Sequence, residues 1–132
     1  MTTYSQLPIR IYYEDTDAGG IVYHASYLRF FERARTEFLR EKGFSQQNLL
    51  NNQQLALVVR KIEIDYLQAA KLDDELCVQT YLTNVKKASV LFEQQLIRDD
   101  QIICTAKVKI ACVDLNSMKP IVLPCEIKQA LL

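Results

Sequence analysis

The sequence predicts an α+β fold in which one long helix lies across a curved antiparallel sheet of five strands. One strand-like segment precedes the only long helical segment, and four strand-like segments follow it. Consecutive strands joined by short turns favour antiparallel pairing. Apolar residues surround much of the helix, which indicates that the sheet wraps around it; these residues are Leu28, Phe30, Phe31, Phe38 and Leu39.

The first strand and the helix are predicted from two different periods. Ile9, Ile11 and Tyr13 alternate with Arg10, Tyr12 and Glu14, a period of two that is typical of a strand. From Ser26 the apolar residues recur every three to four positions, which is the period of a helix. We expect Ser26 to be the N-cap of this helix and Gly43 to terminate it.

The rest of the chain is predicted to be mainly strand. Segment 44–54 is rich in Gln and Asn, which indicates a loop with a short turn of helix. After the four strands, an extended piece between Pro120 and Pro124 leads to a closing helical turn at 126–132. The four strands are predicted at 58–66, 76–82, 89–98 and 102–112.

Length and composition predict a single domain, 1–132, with its own core. The chain is 49% hydrophobic, and a domain of this length buries enough surface to fold without metal or disulfide staples. Its 16 basic and 16 acidic residues balance, which argues against a broad basic surface for nucleic acid or membrane binding. Neither a signal peptide nor a membrane-spanning stretch is evident, so we expect a cytoplasmic protein.

The cysteines and the histidine predict no metal centre. Four cysteines occur without a C-x-x-C pair, and there is one histidine. No zinc ligand set has the usual spacing, so we expect reduced thiols that serve as small core residues. In particular, Cys104 and Cys112 share the apolar face of the last long strand.

The short segment before the helix carries the chemistry. Glu14, Asp15 and Asp17 place three carboxylates within four residues, a cost to stability unless they are solvated or used. Gly19 and Gly20 allow positive φ and close approach of a ligand. The following helix N-terminus offers free N–H groups that stabilise an oxyanion, while a carboxylate activates water or attacks a carbonyl. These features predict acyl transfer or acyl hydrolysis.

The motif Y-x-D-T-D-x-x-G-x-V-Y-H-x-x-Y, followed by F-x-E-x-A-R-T-E, resembles the signature of hotdog-fold acyl-CoA thioesterases. The chain is most similar to the Tol–Pal-associated acyl-CoA thioesterases of the 4-hydroxybenzoyl-CoA thioesterase superfamily, over nearly its whole length. The resemblance implies a five-stranded antiparallel sheet around one long helix and hydrolysis of acyl-CoA to free acid and CoA. It implies no metal or redox cofactor, and homodimers that pair into homotetramers, with active sites at the dimer interface.

The resemblance also implies roles for individual residues. Asp17 matches the catalytic carboxylate, as nucleophile or as general base. His24 matches a residue that orients or polarises the thioester, and its backbone N–H falls at the oxyanion donor. Tyr13 matches the tyrosine beside the carboxylate. The residues expected to contact substrate are Gly19, Gly20, Val22, Tyr23, Arg60 and Lys87, of which the last two either bind CoA phosphates or are ordinary solvated charges.

The sequence is also compatible with several alternatives. His24 could be a packed or capping residue, and Asp15 and Asp17 could serve only the turn. A cation site is another alternative, with Glu14, Asp15, Asp17 and His24 as its ligands. A non-catalytic module that binds acyl thioesters or acyl carrier protein would use the same pocket without turnover. A hydroxyacyl dehydratase and a structural partner of an envelope complex are further alternatives. The segment Gln68-Ala69-Ala70 departs from the proline found in many relatives, which leaves the contacts of that loop open.

Overall fold

A computed structural model describes residues 3–132. The helices are α1 (Ser26–Glu41), α2 (Gln46–Asn52) and α3 (Cys125–Leu131). The strands are β1 (Thr3–Arg10), β2 (Leu55–Tyr66), β3 (Glu75–Val85), β4 (Ser89–Arg98), β5 (Gln101–Asp114) and β6 (Lys119–Pro120). No helix among the described residues is both long enough and apolar enough to cross a membrane.

The five long strands form one antiparallel sheet in the order β1-β3-β4-β5-β2, and the two-residue β6 pairs with the end of β5. The sheet curls around α1, as the sequence predicts. β1 and β2 are the edges of this five-strand path. The close backbone contacts of α1 are with β1 and β3, so the helix lies nearer to that side of the sheet than to β2.

The core lies between α1 and the concave face of the sheet. Phe30, Phe31 and Phe38 of α1 are fully buried, and the Phe38 ring meets Phe92 of β4 edge-to-face at 5.3 Å. Full burial of one such side chain contributes about 1.5–3 kcal/mol. Leu28 is 39% exposed. The expectation that the sheet also covers this side of the helix is therefore wrong at Leu28.

The two ends of α1 differ in how well the sequence predicts them. Ser26 is not the N-cap; Ala25 holds that position, and the Ser26 hydroxyl instead donates to the Asp15 carbonyl at 3.3 Å. The serine is thus used to tie the preceding loop to the helix. Gly43 does terminate the helix, with φ +92° and its N–H donating to the Arg40 carbonyl. The next N–H, of Phe44, bonds to the Leu39 carbonyl, which completes a Schellman motif.

Other element boundaries shift by a few residues. β1 ends at Arg10 and not at Tyr13, because a 3-10 turn at Tyr13–Asp15 replaces the end of the predicted strand. α2 is a seven-residue helix, longer than a single turn, and the Ser45 side chain caps it by accepting from the Asn48 N–H. The predicted extended piece and closing helix are present near Lys119–Pro120 and at Cys125–Leu131.

The cysteines divide into two groups. Cys104 and Cys112 are buried, as their position on β5 predicts, and all four thiols are free. Cys125 is exposed and Cys77 is half-buried. The expectation of a core role is therefore wrong for Cys125, because it lies at the start of α3 on the solvent side.

Candidate active site

Asp15 organises the loop that joins β1 to α1. Its buried carboxylate accepts from the Tyr12 N–H at 2.9 Å. Its carbonyl accepts from the Tyr23 N–H at 2.9 Å and from the Ser26 hydroxyl. Asp15 therefore stabilises the turn, and its carboxylate is committed to the backbone.

Asp17 is exposed on a tight turn that ends at Gly20. The Asp17 N–H donates to the Ile21 carbonyl at 2.9 Å, and the Gly20 N–H donates back to the Asp17 carbonyl at 3.0 Å. Carboxylate oxygen Oδ1 accepts from the Gly19 N–H at 2.8 Å, which fixes the direction of the group. Oδ2 accepts no hydrogen bond from residues 3–132, so it faces solvent and is available for chemistry.

The two glycines are needed for different reasons. Gly20 has φ +79°, a conformation that costs any residue with a Cβ. A Cβ at Gly19 would lie 3.2 Å from Asp17 Oδ1, so a side chain there would press on the carboxylate. Both glycines thus serve the geometry of Asp17.

The start of α1 presents His24. Its ring is exposed and leans on Tyr23, with ring centroids 4.4 Å apart. The His24 carbonyl accepts from the Tyr66 hydroxyl at 2.9 Å, while its N–H has no hydrogen-bond partner within the described part of the chain. A free N–H at the positive end of a sixteen-residue helix is suited to receive an oxyanion.

A second loop, between β2 and β3, supports this arrangement. The Val22 N–H donates to the Ala70 carbonyl at 2.9 Å, and the Ala70 N–H donates to the Tyr27 hydroxyl at 3.0 Å. Burial raises the pKa of Tyr27, which therefore stays protonated and can also donate. The Val22 side chain is buried and belongs to the hydrophobic core. The departure at Gln68-Ala69-Ala70 is accommodated, since Ala70 bonds through both of its backbone groups.

Arg98 anchors the same loop from the end of β4. Its guanidinium donates to the Ala69 carbonyl at 3.0 Å and to Asp74 Oδ2 at 2.8 Å. Burial acts to raise the pKa of Asp74, but the hydrogen bonds from the Lys71 N–H and from Arg98 outweigh it, so that the pKa is lowered overall. The sequence reasoning missed Tyr66, Ala70 and Arg98. Each acts over a separation of 24 to 48 positions or through its backbone, and no local pattern marks such contacts.

Not every predicted site residue lies near this turn. The side chain of Tyr13 is 82% exposed; its carbonyl accepts from the Thr16 N–H and hydroxyl. Arg60 is exposed at the irregularity of β2. Lys87 is exposed in the connection from β3 to β4, at the other end of the sheet. A ten-residue β4 spans roughly 30 Å, so a single copy does not bring Lys87 to Asp17.

The acidic segment does not gather into a ligand cluster. Across residues 3–132 there is no group of three His, Cys, Asp or Glu side chains placed to hold a metal ion. Asp15 is buried and already bonded, whereas Asp17 and His24 are exposed.

A curled antiparallel sheet around one long helix, with an acidic turn at the helix N-terminus, is the hotdog architecture of thioesterases. The model of the thioesterase-like superfamily matches residues 12–131. Together with the relatives below, this match shows that the chain belongs to that superfamily and is a thioester-hydrolysing enzyme.

Two relatives and two solved structures are informative. The acyl-CoA thioesterase YbgC of Haemophilus influenzae is 60% identical, covering 93% of this chain and 90% of its own length. The acyl-CoA thioester hydrolase YbgC of Escherichia coli O6:H1 is 48% identical, covering 93% and 92%. A probable thioesterase from Bartonella henselae is 38% identical with a TM-score of 0.88, covering 92% of this chain and 100% of that one. A 1,4-dihydroxy-2-naphthoyl-CoA thioesterase from Synechocystis, 23% identical with a TM-score of 0.91 and coverage of 98% and 96%, shares the fold.

Proposed function

We propose that the protein hydrolyses acyl-CoA thioesters to a carboxylic acid and CoA. The observation that carries the proposal is the Asp17 turn, which holds one carboxylate oxygen and leaves the other free beside the helix N-terminus. The printed activities of the Haemophilus and Escherichia relatives support the choice of acyl-CoA as substrate. CoA is part of the substrate, and the proposed reaction uses no other cofactor.

In the proposed reaction the thioester carbonyl oxygen lies at the His24 N–H. Negative charge that develops on this oxygen is stabilised by the N–H and by the helix dipole. The free oxygen of Asp17 then has two possible roles. As a general base it takes a proton from water, whose oxygen bonds to the carbonyl carbon as the C–S bond breaks and the thiolate leaves. As a nucleophile it bonds to the carbonyl carbon while the C–S bond breaks and the CoA thiolate leaves, and water hydrolyses the resulting acyl-aspartate in a second step.

The neighbouring residues hold these two groups in place. Tyr66 fixes the His24 carbonyl, so the His24 peptide groups cannot rotate freely. We assign the role of orienting the thioester to the His24 ring, which is exposed beside Tyr23. Tyr13 is assigned to the site from the family resemblance, and its side chain is exposed. Gly19 and Gly20 leave room for the substrate, because no side chain stands over the turn.

We further propose that the site is completed by a second copy paired along β2. This strand is an edge of the sheet, and its Val58 and Val59 are exposed apolar residues. Antiparallel pairing about a two-fold axis places the Leu55 end of one β2 beside the Tyr66 end of the other. Lys87 of the partner subunit would then approach the Asp17 turn, with Arg60 near the axis, where both could bind CoA phosphates.

The wider context is proposed from the family resemblance. It comprises a single domain over 1–132, pairing of dimers into a homotetramer, a cytoplasmic location and an association with the Tol–Pal envelope system. Acyl carrier protein is an alternative carrier of the acyl group.

The proposal is tested with purified protein and a panel of short aliphatic, long aliphatic, hydroxyacyl and aromatic acyl-CoAs. Free acid is quantified by chromatography, because the exposed Cys125 would react with a thiol dye. Turnover of at least one member is expected. Tight binding without release of acid from any acyl-CoA or acyl carrier protein substrate would instead identify a binding module.

A further inference from the structure

A cavity of about 280 Å³ lies between α1 and β2. Its apolar walls include Leu39 of α1, Leu57 of β2 and Phe92 of β4, and Arg35 reaches into it from α1. Ligand pockets commonly measure ~300–1,000 Å³. The cavity therefore fits an acyl group and not a whole CoA molecule.

Arg35 is an unusual residue to find in such a cavity. It is 7% exposed, and its Nη1 donates to Gln94 Oε1 at 2.9 Å. That amide is itself fixed, because its nitrogen donates to the Phe31 carbonyl and to Thr80 Oγ1, both at 2.9 Å. The other N–H donors of the guanidinium have no hydrogen-bond partner among residues 3–132, and no carboxylate there lies within ion-pairing distance.

No fully buried side-chain nitrogen among the described residues lacks a hydrogen-bond partner, so the remaining donors of Arg35 open into accessible space in the cavity. Burial lowers the pKa of Arg35, and the nearby charge of Glu32 opposes this effect. A guanidinium presents these donors in a fixed fork that matches carboxylate and other oxygen acceptors. A ligand oxygen that enters the cavity can therefore replace water at these donors.

We propose that Arg35 binds an acceptor oxygen carried by the acyl group of the substrate, remote from the thioester carbonyl. This inference rests on the proposed function and names the class of acyl group that the site prefers. The oxygen belongs either to a carboxylate or to a neutral group such as a hydroxyl.

The position of Arg35 along the helix supports this assignment. Arg35 lies nine residues after Ser26, the first residue of α1, which is roughly 14 Å of axial rise, and side chains of a helix lean back towards its N-terminus. β2 runs beside this part of the helix, with Tyr66 bonded to His24 at one end and Val58 lining the cavity towards the other. An acyl group that leaves the helix N-terminus along this seam would meet the guanidinium.

Glu32 also lines the cavity, one helical turn before Arg35, and is exposed. The Glu32 carboxylate has opposite effects on a bound carboxylate and on a bound hydroxyl. Its negative charge repels a carboxylate, whereas it accepts a hydrogen bond from a hydroxyl that Arg35 binds. Replacement of this residue therefore separates the two sources.

The test compares acyl-CoAs of matched chain length that end in a methyl, a hydroxyl or a carboxylate, over a series of lengths. At the best length, the wild type is expected to prefer an oxygen-bearing chain to the methyl-ended chain in kcat/KM. In Arg35→Met this preference should fall by roughly ten- to a hundredfold, while the methyl-ended chain changes by no more than about threefold. Arg33→Met, an exposed arginine on the same helix, is the matched control and should keep the preference.

Two further outcomes keep the proposal falsifiable if Arg35→Met does not fold. Glu32 is exposed, so Glu32→Gln should fold. If Arg35 binds a carboxylate, this variant should raise kcat/KM for the carboxylate-ended chain relative to the methyl-ended one. If Arg35 binds a hydroxyl, it should lower kcat/KM for the hydroxyl-ended chain. A wild-type enzyme that hydrolyses methyl-ended chains best at every length, or a preference that survives Arg35→Met, would overturn the role of Arg35. Failure to hydrolyse any acyl-CoA would instead overturn the proposed function.

Discussion

Replacement of Gln94 by methionine tests how the core holds a buried charge. The Gln94 amide is fully buried and makes three hydrogen bonds, to Arg35, to the Phe31 carbonyl and to Thr80. A bond to a charged group contributes about 1.5–3 kcal/mol and a neutral one about 1 kcal/mol. Gln94→Met should therefore lower the free energy of unfolding by about 4 kcal/mol, out of the ~5–15 kcal/mol that stabilises a typical domain.

Urea unfolding followed by circular dichroism measures this loss. With a urea slope of about 2 kcal/mol per molar, the midpoint should fall by roughly 2 M. Gln95→Met is the matched control, because Gln95 lies on the opposite face of the same strand, is half-buried and makes no side-chain hydrogen bond to the described residues. The control should change the stability by no more than about 0.5 kcal/mol.

The double variant Arg35→Met/Gln94→Met gives a sharper test of the cause. Removal of both partners leaves no uncompensated guanidinium, so the double variant should be more stable than Gln94→Met alone. Equal midpoints for Gln94→Met and Gln95→Met would refute the reasoning. A double variant that loses the sum of the two single effects would show that the two side chains act independently.

Three further predictions concern thiols, acid stability and the glycines. With iodoacetamide, peptide mass spectrometry should find Cys125 alkylated first and Cys104 last, since burial raises the pKa of Cys104 to about 12; equal rates would contradict the burial pattern. Because the pKa of Asp74 is lowered below 3.8, its carboxylate stabilises the fold above that pH and the contribution is lost as the pH falls through the lowered pKa. The stability difference between the wild type and Asp74→Asn in urea should thus be larger at pH 7 than at about pH 3, and a pH-independent difference would oppose this. Gly19→Ala should reduce turnover more than stability, because its Cβ would displace the Asp17 carboxylate to which we assign catalysis. Gly43→Ala should lower the free energy of unfolding by about 1 kcal/mol without changing kcat; the reverse pattern would count against the site.

The periodicities of the sequence predict most of the fold because each element buries one face. The period of two is confirmed on β5 from Cys104 to Cys112, whereas the prediction is wrong at Ile102, which is 38% exposed while Ile103 is buried. The aromatic stripe of α1 is buried as expected. Boundaries are less predictable because single side chains decide them. Asp15 turns the chain after Arg10 by capping the Tyr12 N–H, and Ser26 bonds backwards to the loop in place of capping its own helix.

The sequence predicts one part of the candidate site and not the other. Asp17, the glycine pair and His24 lie within eight consecutive positions, so a local motif and a family resemblance are enough to point to them. Tyr66 contacts His24 across 42 positions. Arg35 donates one hydrogen bond to Gln94, 59 positions away, and only the folded structure shows that its other donors face the cavity. Such contacts depend on the curl of the sheet, which no local pattern encodes.

The most direct measurement is the kcat of Asp17→Asn on the acyl-CoA that the wild type hydrolyses fastest. The asparagine oxygen can still accept from the Gly19 N–H, so the turn should persist and the thermal midpoint should stay close to that of the wild type. Glu14→Gln, an exposed carboxylate of the same acidic segment, is the matched control and should keep its turnover. We expect Asp17→Asn to lose at least about a hundredfold in kcat; near-normal turnover in that folded variant would contradict the assignment of Asp17 as the catalytic carboxylate.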